Sequence, residues 1–287
     1  MAEDMQEIKR RMKSVKSTER ITNAMRLVSA AKLRRAKATF EKTSKYFHYV
    51  TNSIAEVFQN SENIPSDYLE GRREIKTTCY ILITSCKGFC GSFNINVIKE
   101  LEKNIRESKT ETKIVAVGTK GKEYFERRKY SILSSYLSPA ETVTFVETHN
   151  ISKPIIEMYD AGEIDEVKLV YTSYVNTLVQ AVKTVRILPF DVSLAPEIKK
   201  VKKEVEYEPS AEGVFNYLLP KYAEILVFSA IVESATCENA ARRTAMESAT
   251  NNAQDMIADL SLYYNRARQA AITNQLIEIV SGSELQK

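Results

Sequence analysis

The sequence predicts a mixed α+β and α/β fold: a long antiparallel two-helix coiled coil, made from the two ends of the chain, and a small α/β domain between them. Three observations support this. All eight glycines and seven prolines lie from Pro65 onward, and none lies between Pro220 and Gly282. Apolar residues recur every three or four positions along both breaker-free ends. Apolar strands alternate with amphipathic helices in the middle.

Each breaker-free end predicts one long helix, because Gly and Pro interrupt helices more than other residues do. The helices would run from Met5 to about Gln59 and from Lys221 to about Val280. At 1.5 Å per residue each would be roughly 80–90 Å long. We assign residues 1–60 to the N-terminal helix, 75–192 to the α/β domain, 193–213 to a loop and 214–282 to the C-terminal helix.

The apolar stripe of each long helix needs a partner along its length. The predicted C-terminal seam keeps a three-four alternation typical of a coiled coil: Ile225, Phe228, Val232, Ala235, Asn239, Arg242, Met246, Ala249, Ala253, Met256, Leu260, Tyr263, Ala267 and Ala270. The N-terminal seam shows phase shifts: Met5, Ile8, Met12, Val15, then Ile21, Met25, Val28, then Ala36, Phe40, Thr43, Phe47, Val50, Ile54 and Val57. We expect the two ends to pair with each other. Packing against an ordinary helical core remains the alternative, although such a core offers no apolar surface as long as these helices.

The middle of the chain predicts a Rossmann-like α/β domain. Its strands are "TTCYILITS", "KIVAVG", "EVKLVYTSYVN" and "AVKTVRILPF", and its helices are "NINVIKELEKNIRES", "KGKEYFERRK" and "SKPIIEMYDAG". Helices that alternate with apolar strands cover the faces of a sheet.

Several classes of function find no support in these residues. The longest apolar runs, "CYILIT" and "EILVFSAIV", fall short of the roughly 20 residues that a membrane-spanning helix needs. The charged N-terminus lacks the apolar core of a secretory signal, which predicts a cytoplasmic address. Four cysteines and two histidines form neither a disulfide scaffold nor a zinc ligand set, so we expect reduced thiols and no metal.

The segment "SCKGFCGSF" lies between a strand and a helix, where a phosphate-binding loop could occur. It lacks the Gly-Lys-Ser/Thr ending of a P-loop and the third glycine of a dinucleotide fingerprint. A tight turn is the favoured interpretation, with no cofactor and no catalytic residues. Cys86 or Cys90 could act as a nucleophile only beside a base, and no histidine can be placed near them.

The N-terminal helix is strongly basic. Residues 1–45 carry 13 Lys and Arg against five Asp and Glu, whereas residues 221–287 carry six against eight. Such a helix could follow nucleic-acid phosphates, lie on an anionic membrane or face acidic loops of a protein partner. Composition leaves all three open.

Four stretches, spread in order along the chain, resemble the gamma subunit of the F-type ATP synthase. They are "IKRRMKSVKSTERITNAMRLVSAAKLRRAK", "ITSCKGFCGSFN", "EIDEVKLVYTSYVNTLVQ" and "ENAARRTAMESATNNAQDMIADLSLYYNRARQAAITNQLIEIVSG". The last is the most specific, because three family patterns fall at family spacing within one helix.

The resemblance implies a central rotor without a catalytic site of its own. Its paired helices would turn inside a hexamer of alternating alpha and beta subunits, one copy per complex. Its α/β domain would lie at the foot, with the epsilon subunit and the membrane c-ring. This implies a peripheral protein at the cytoplasmic face of a bacterial membrane, with no nucleic-acid partner. The alternative is a basic coiled-coil protein that binds nucleic acid; a small nucleotide-dependent enzyme is a third interpretation.

Contact residues carry over from the family one at a time. Met25, Arg242, Arg268 and Gln269 match positions that face the ring of alpha and beta subunits, and Tyr207 with Glu208 match positions against the c-ring. From the basic N-terminal helix we add Arg34 and Arg35, which in the rotor interpretation would face acidic partner loops.

The chain departs from the family pattern at four places. Cys86 stands where Asp is usual, Phe89 where Leu is frequent, Gln275 where Glu is usual, and "GSEL" replaces the usual ending. The regulatory cysteine insertion of chloroplast forms and a transit peptide are absent from these residues, which favours a bacterial type.

Overall fold

The computed structural model describes residues 2–60, 71–72, 74–190, 208 and 210–284. The helices are α1 (Ala2–Asn60), α2 (Phe93–Ser108), α3 (Thr119–Arg127), α4 (Phe145–Asp160) and α5 (Ala211–Glu284), with a 3₁₀ turn at Ala140–Thr142. The strands are β1 (Thr77–Ile83), β2 (Glu111–Val117), β3 (Ser131–Tyr136), β4 (Glu166–Tyr174) and β5 (Gln180–Leu188). The chain divides into two compact units, with boundaries after Ala30 and before Arg242.

In the first unit, the start of α1 and the end of α5 pair in antiparallel fashion. Thr250 Oγ1 donates to Thr22 Oγ1 at 2.9 Å, Gln254 Nε2 to Glu19 Oε1 at 3.4 Å, and Ser261 Oγ approaches Met12 Sδ at 3.5 Å. Residue numbers rise on one helix as they fall on the other, and each pair adds to 272 or 273. The predicted antiparallel pairing is confirmed.

The C-terminal seam has a different phase from the one predicted. Met246, Ala253, Leu260 and Ala267 face inward as expected. The predicted inner positions of Met256 and Tyr263 are wrong, since these side chains are 56% and 57% exposed. Ala270 is exposed too, so its predicted position is also wrong. The other inner positions of the observed seam, each three or four residues from these, are Thr250, Ile257, Tyr264 and Ala271. A polar residue, Thr250, occupies the seam because its hydroxyl hydrogen-bonds to Thr22 and to the Met246 carbonyl.

The N-terminal seam in this unit has no phase shift. Met5, Ile8, Met12 and Val15 are half-buried, as predicted, and the same spacing continues through Glu19, Thr22, Arg26 and Ser29. Ile21 and Val28 were expected inside and are 58% and 55% exposed, whereas Ser29 is only 2% exposed. The small polar residues Thr22 and Ser29 therefore take inner positions in this part of the helix, and the apolar residues Ile21 and Val28 lie outside.

The second unit contains a five-stranded sheet in the order β3-β2-β1-β4-β5. Strands β1 to β4 run parallel, and β5 pairs antiparallel to β4. Residues of α4 and α5 share an apolar cluster with one face of the sheet, and residues of α2 and α3 share another with the opposite face. This confirms the predicted small α/β fold. Strand β3, "SILSSY", was not predicted; it is an edge strand in which three serines weaken the apolar signal.

Helix α5 begins at Ala211 and passes through Pro220, although the sequence placed a loop up to residue 213 and the uninterrupted helix from Lys221. Residues just after Pro220 are buried, among them Tyr222, Ala223 and Leu226. Their packing against the sheet holds the helix across the proline, because tertiary contacts override local propensity.

A polar cluster fixes the start of β1. Arg72 Nη1 donates to Asp165 Oδ1 at 2.8 Å, and the backbone N–H groups of Lys76 and Thr77 donate to Asp165 Oδ2 at 2.8 and 2.9 Å. Burial alone would raise the pKa of the Asp165 carboxyl, but the bonds from Arg72, Thr77 and Lys76 outweigh it and lower the pKa.

Candidate functional site

The loop "SCKGFCGSF" is a turn closed by its own hydrogen bonds. The Ser85 N–H donates to Asn94 Oδ1 at 2.9 Å, and Asn94 Nδ2 donates to Ser85 Oγ at 2.7 Å and Cys90 Sγ at 3.2 Å. Phe89, in the middle of this loop, has a φ of 61° and is 71% exposed. This geometry matches the predicted turn between a strand and a helix.

The four cysteines are free thiols in different surroundings. Cys79, Cys90 and Cys237 are buried, and Cys86 is half-buried with its thiol donating to the Leu137 carbonyl at 3.2 Å. Burial raises the pKa of the Cys79 thiol to about 12, and burial together with Glu233 raises the pKa of Cys237. Within the described ranges, no group of three or more His, Cys, Asp or Glu side chains could hold a metal.

The predicted contact residues do not converge on one site. In the first unit, Met25 and Arg242 are half-buried, and Arg268 and Gln269 are exposed. Arg242 and Arg268 lie 26 residues apart on α5, which is about 39 Å along the helix axis. The arrangement suits a series of surface contacts along a shaft.

The remaining predicted residues lie elsewhere. Arg34 and Arg35 are exposed neighbours on the α1 segment of the second unit. Glu208 is exposed, and Tyr207 lies outside the described residues.

The sequence analysis missed the apolar outer surface of the first unit. Side chains that are about half or more exposed include Ile21, Leu27 and Val28 on α1 and Met256, Leu262, Tyr263, Ile272, Leu276, Ile277, Ile279 and Val280 on α5. The available signal was the presence of large apolar residues out of phase with the seam.

The last described turns of α5 are the most open part of this surface. The antiparallel register places Ala2, where α1 begins, opposite about residue 270. Every residue from Gln275 to Ser281 is exposed, including Ile279 at 68%. In this segment, which we call the tip, Leu276, Ile277, Ile279 and Val280 lie on one side of the helix, and Gln275, Glu278 and Ser281 lie on the other.

Among the described residues, no helix has both the length and the apolar character needed to cross a membrane. A protein-family profile described as ATP synthase matches residues 4–284. Two solved structures share the fold: the central stalk and c-ring of the Tetrahymena thermophila mitochondrial ATP synthase, and the rotor of the Euglena gracilis mitochondrial enzyme. The first is 24% identical over 80% of this chain and 99% of that chain, with a TM-score of 0.63. The second is 17% identical over 95% and 100%, with a TM-score of 0.68.

Relatives found by sequence have a higher identity to this chain than these two structures do. The chain is 43% identical to the ATP synthase gamma chain of Alkaliphilus metalliredigens, over all of both chains. It is 39% identical to the sodium-ion-specific gamma chain of Acetobacterium woodii, over 99% of both. These matches give no support to the nucleic-acid-binding alternative. The profile and the relatives both extend over nearly the whole chain, and the chain therefore belongs to the ATP synthase gamma-chain family.

Proposed function

We propose that this chain is the central rotor shaft of an F-type ATP synthase. It would couple ion flow through a membrane c-ring to ATP synthesis or hydrolysis in a surrounding hexamer of alpha and beta subunits. The observation that carries this proposal is the first unit: two paired helices that expose apolar residues along their outer surface and at the tip.

Such a surface calls for a partner that encloses it. Exposed apolar patches of this kind mark interaction sites. Because the apolar side of the tip is exposed, an apolar inner surface of the alpha and beta hexamer would cover it. Covering the five large aliphatic side chains from Ile272 to Val280 is worth about 5 kcal/mol at about 1 kcal/mol for each half-exposed chain.

Rotation requires the shaft to favour different partner conformations at different angles. Met25, Arg242, Arg268 and Gln269 would provide these contacts, because they lie at several heights along the paired helices. A ligand shifts a conformational equilibrium only by its differential affinity for the two states. An asymmetric shaft supplies that difference without chemistry of its own, so ATP turnover belongs to the hexamer.

The foot of the rotor would be the α/β unit, with Glu208 and Tyr207 against the c-ring and the epsilon subunit alongside. Support comes from the two structural neighbours, which are a central stalk with its c-ring and a rotor. The chain would then be a peripheral subunit, one copy per complex, at the cytoplasmic face of a bacterial membrane.

Replacing Ile279 and Val280 together by serine tests the apolar tip. The expected result is weaker co-purification with alpha and beta subunits and lower coupled ATP synthesis. The matched control replaces Gln275 and Glu278 by serine in the same helical segment, where assembly should persist. Equal binding by both variants would remove the support that the tip gives to the rotor function.

Reversing charge at Arg34 and Arg35 tests the basic face against the nucleic-acid alternative. Contacts with acidic protein loops should weaken, and the difference from the wild type should shrink as salt rises, because exposed charges are screened within about 8 Å at 0.15 M ionic strength. A nucleic-acid arm would instead give duplex DNA binding that falls linearly in log salt. Tight DNA binding by the wild type, without affinity for alpha and beta subunits, would overturn the rotor proposal.

A further inference from the structure

The end of strand β4 is fixed to helix α5 by a carboxylate. Ser173 Oγ donates to Glu233 Oε1 at 2.7 Å, and the Tyr174 N–H donates to the same oxygen at 2.8 Å. The Tyr171 hydroxyl is hydrogen-bonded to the same side chain. Burial, together with the Glu233 charge, raises the pKa of Tyr171, so this phenol stays protonated. Three groups of one strand therefore meet one side chain of the helix, and we call these four residues the latch.

The latch lies where a sheet of this topology usually binds a ligand. In the order β3-β2-β1-β4-β5, the chain runs from β1 toward one edge and returns to β4 on the other side of β1. Ligands of open α/β sheets bind at such a switch point, beyond the carboxyl ends of the strands. Here Cys90 and Phe93, which follow β1, form a buried cluster with Cys237 of α5, and Tyr174 packs against it. Helix α5 thus takes the position of a ligand.

The local backbone explains why an acceptor is needed there. Strand β4 pairs with β1 only as far as Val170, although β4 itself continues to Tyr174. The Tyr174 N–H lies beyond the last pair with β1 and has Glu233 as its acceptor. The Ser173 side chain is only 3% exposed, so its hydroxyl also needs a partner inside the protein. Glu233 satisfies both groups.

The same strand end also contacts the other long helix. The Tyr174 ring lies edge to face with Phe40 of α1, with ring centroids 6.1 Å apart. The residue after Glu233 adds a further bond between α5 and β4, from Ser234 Oγ to the Thr172 carbonyl at 3.4 Å. The end of β4 is thus joined to both long helices within the second unit.

Hydrogen bonds at this position resist a turn of α5 about its own axis. Apolar contacts have no preferred direction, whereas a hydrogen bond weakens steeply when its length or angle changes. A side chain at the helix surface lies about 5–6 Å from the axis, so turning α5 by about 20° would move the carboxylate by about 2 Å. That displacement is enough to break bonds of 2.7 and 2.8 Å.

We propose that the latch transmits torque between the sheet and the long helices, and that Glu233 is a positioning residue that stops α5 from turning against the sheet under load. The proposal rests on the proposed function, in which the α/β unit is the foot of a rotor. It goes beyond that function by naming the contact that carries the load from the sheet to the helix.

Two substitutions with side chains of similar length test the latch. Glu233→Gln keeps an oxygen acceptor for Ser173 and Tyr174, whereas Glu233→Met removes the acceptor and keeps the bulk. ATP synthesis by the whole complex in lipid vesicles, driven by an imposed proton and sodium-ion gradient, measures function under load. ATP hydrolysis by the detached assembly of alpha, beta and this chain measures rotation without load.

The two substitutions should separate the two activities. Glu233→Met should lower synthesis about ten-fold and change hydrolysis less than about two-fold, because a hydrogen bond to a charged group contributes about ten-fold or more to an equilibrium. Glu233→Gln should keep synthesis within about three-fold of the wild type, since neutral hydrogen bonds remain. Ser173→Ala should lower synthesis less than Glu233→Met does. Combining the two should cause little further loss, because both remove the same bond.

A substitution outside the latch separates torque transmission from general stability. Leu226 lies on the same helix, is 6% exposed and belongs to the apolar cluster that α5 shares with the sheet. Leu226→Ala should reduce the amount of assembled complex, because it removes buried apolar contacts. Its ratio of synthesis to hydrolysis should remain that of the wild type.

Three results would overturn the proposal: normal synthesis by Glu233→Met, equal losses for Glu233→Met and Glu233→Gln, or a ratio for Leu226→Ala as low as that for Glu233→Met. Should Glu233→Met not assemble, Ser173→Ala decides, since an unchanged ratio there would also overturn it. Failure of the proposed function is distinguishable, because the wild-type chain would then neither co-purify with alpha and beta subunits nor support synthesis. Failure of the latch alone leaves the wild-type complex coupled.

Discussion

Two adjacent tyrosines on α5 test the observed phase of the helix pair. Tyr264 is half-buried in the seam, and the antiparallel register places it opposite Ile8 of α1. Tyr263 is 57% exposed on the outer side. Replacing either by alanine makes the same chemical change one position apart, so only the environment differs. The sequence-based phase, with Tyr263 inside, predicts the opposite order of effects.

The expected magnitude follows from burial. Removing a fully buried aromatic side chain costs about 3–5 kcal/mol, so losing half-buried Tyr264 should cost about 2 kcal/mol. Exposed positions usually change stability by less than about 0.5 kcal/mol. Alanine also has the higher helix propensity, by about 0.5 kcal/mol, but this gain is equal in both variants and cancels in the comparison.

Hydrogen exchange of the α1 backbone amides from Met5 to Ser29 measures the cost locally, even where other parts of the chain stay folded. Tyr264→Ala should raise exchange in this segment about 30-fold, the equivalent of about 2 kcal/mol, and Tyr263→Ala should raise it less than about three-fold. Equal effects, or a larger effect of Tyr263→Ala, would refute the observed seam and favour the phase drawn from apolar spacing alone.

Three further predictions address other parts of the chain. Ala253→Pro, at a seam position only 5% exposed, should cost about 3 kcal/mol or more and prevent assembly or coupled turnover; normal ATP synthesis by the variant would contradict this. Asp165→Asn should lower the free energy of unfolding by about 2–3 kcal/mol in denaturant titrations, because it weakens the bonds to Arg72 and the start of β1. Since folding lowers the pKa of the Asp165 carboxyl, its stabilisation is complete above about pH 4, the range of an unfolded Asp, and is lost as pH falls through the folded pKa. The wild type and variant should therefore converge in acid, and a constant difference down to pH 2 would disprove the linkage. A maleimide at neutral pH should label Cys86 alone, because burial raises the pKa of Cys79 to about 12 and the other two thiols are also buried; a second labelled site in the folded chain would contradict this.

The α/β fold could be predicted because its central strands have a strong apolar signal. In β1, every residue from Thr78 to Ile83 is buried, which explains the continuous apolar run in the sequence. Strand β3 is less buried and contains three serines, so propensity gives no comparable signal. Its place in the sheet comes from parallel pairing with β2, a long-range contact that local patterns do not contain.

The seam was predicted only in part, because apolar character and burial diverge along the paired helices. Ser29 and Thr250 are 2% and 5% exposed, although their polarity suggested outer positions. Small side chains permit close approach of the helices, and the Thr250 hydroxyl finds a partner in Thr22 across the seam. A rule that assigns apolar residues to the inside therefore shifts the phase wherever small polar residues pack there.

The candidate contacts could not be derived from charge or periodicity, because they depend on what surrounds the chain. Ile21 and Val28 were predicted to lie in the seam, yet both are more than half exposed, as is their apolar neighbour Leu27. Exposing large apolar side chains to water is unfavourable, and smaller polar residues at these positions would lower the stability of the helix pair only slightly. Their outward position is understandable if a second surface covers them in the assembled complex. The residues that were wrongly placed in the seam are thus the ones that best indicate a partner. Their exposed apolar side chains need a covering surface that the chain alone does not provide.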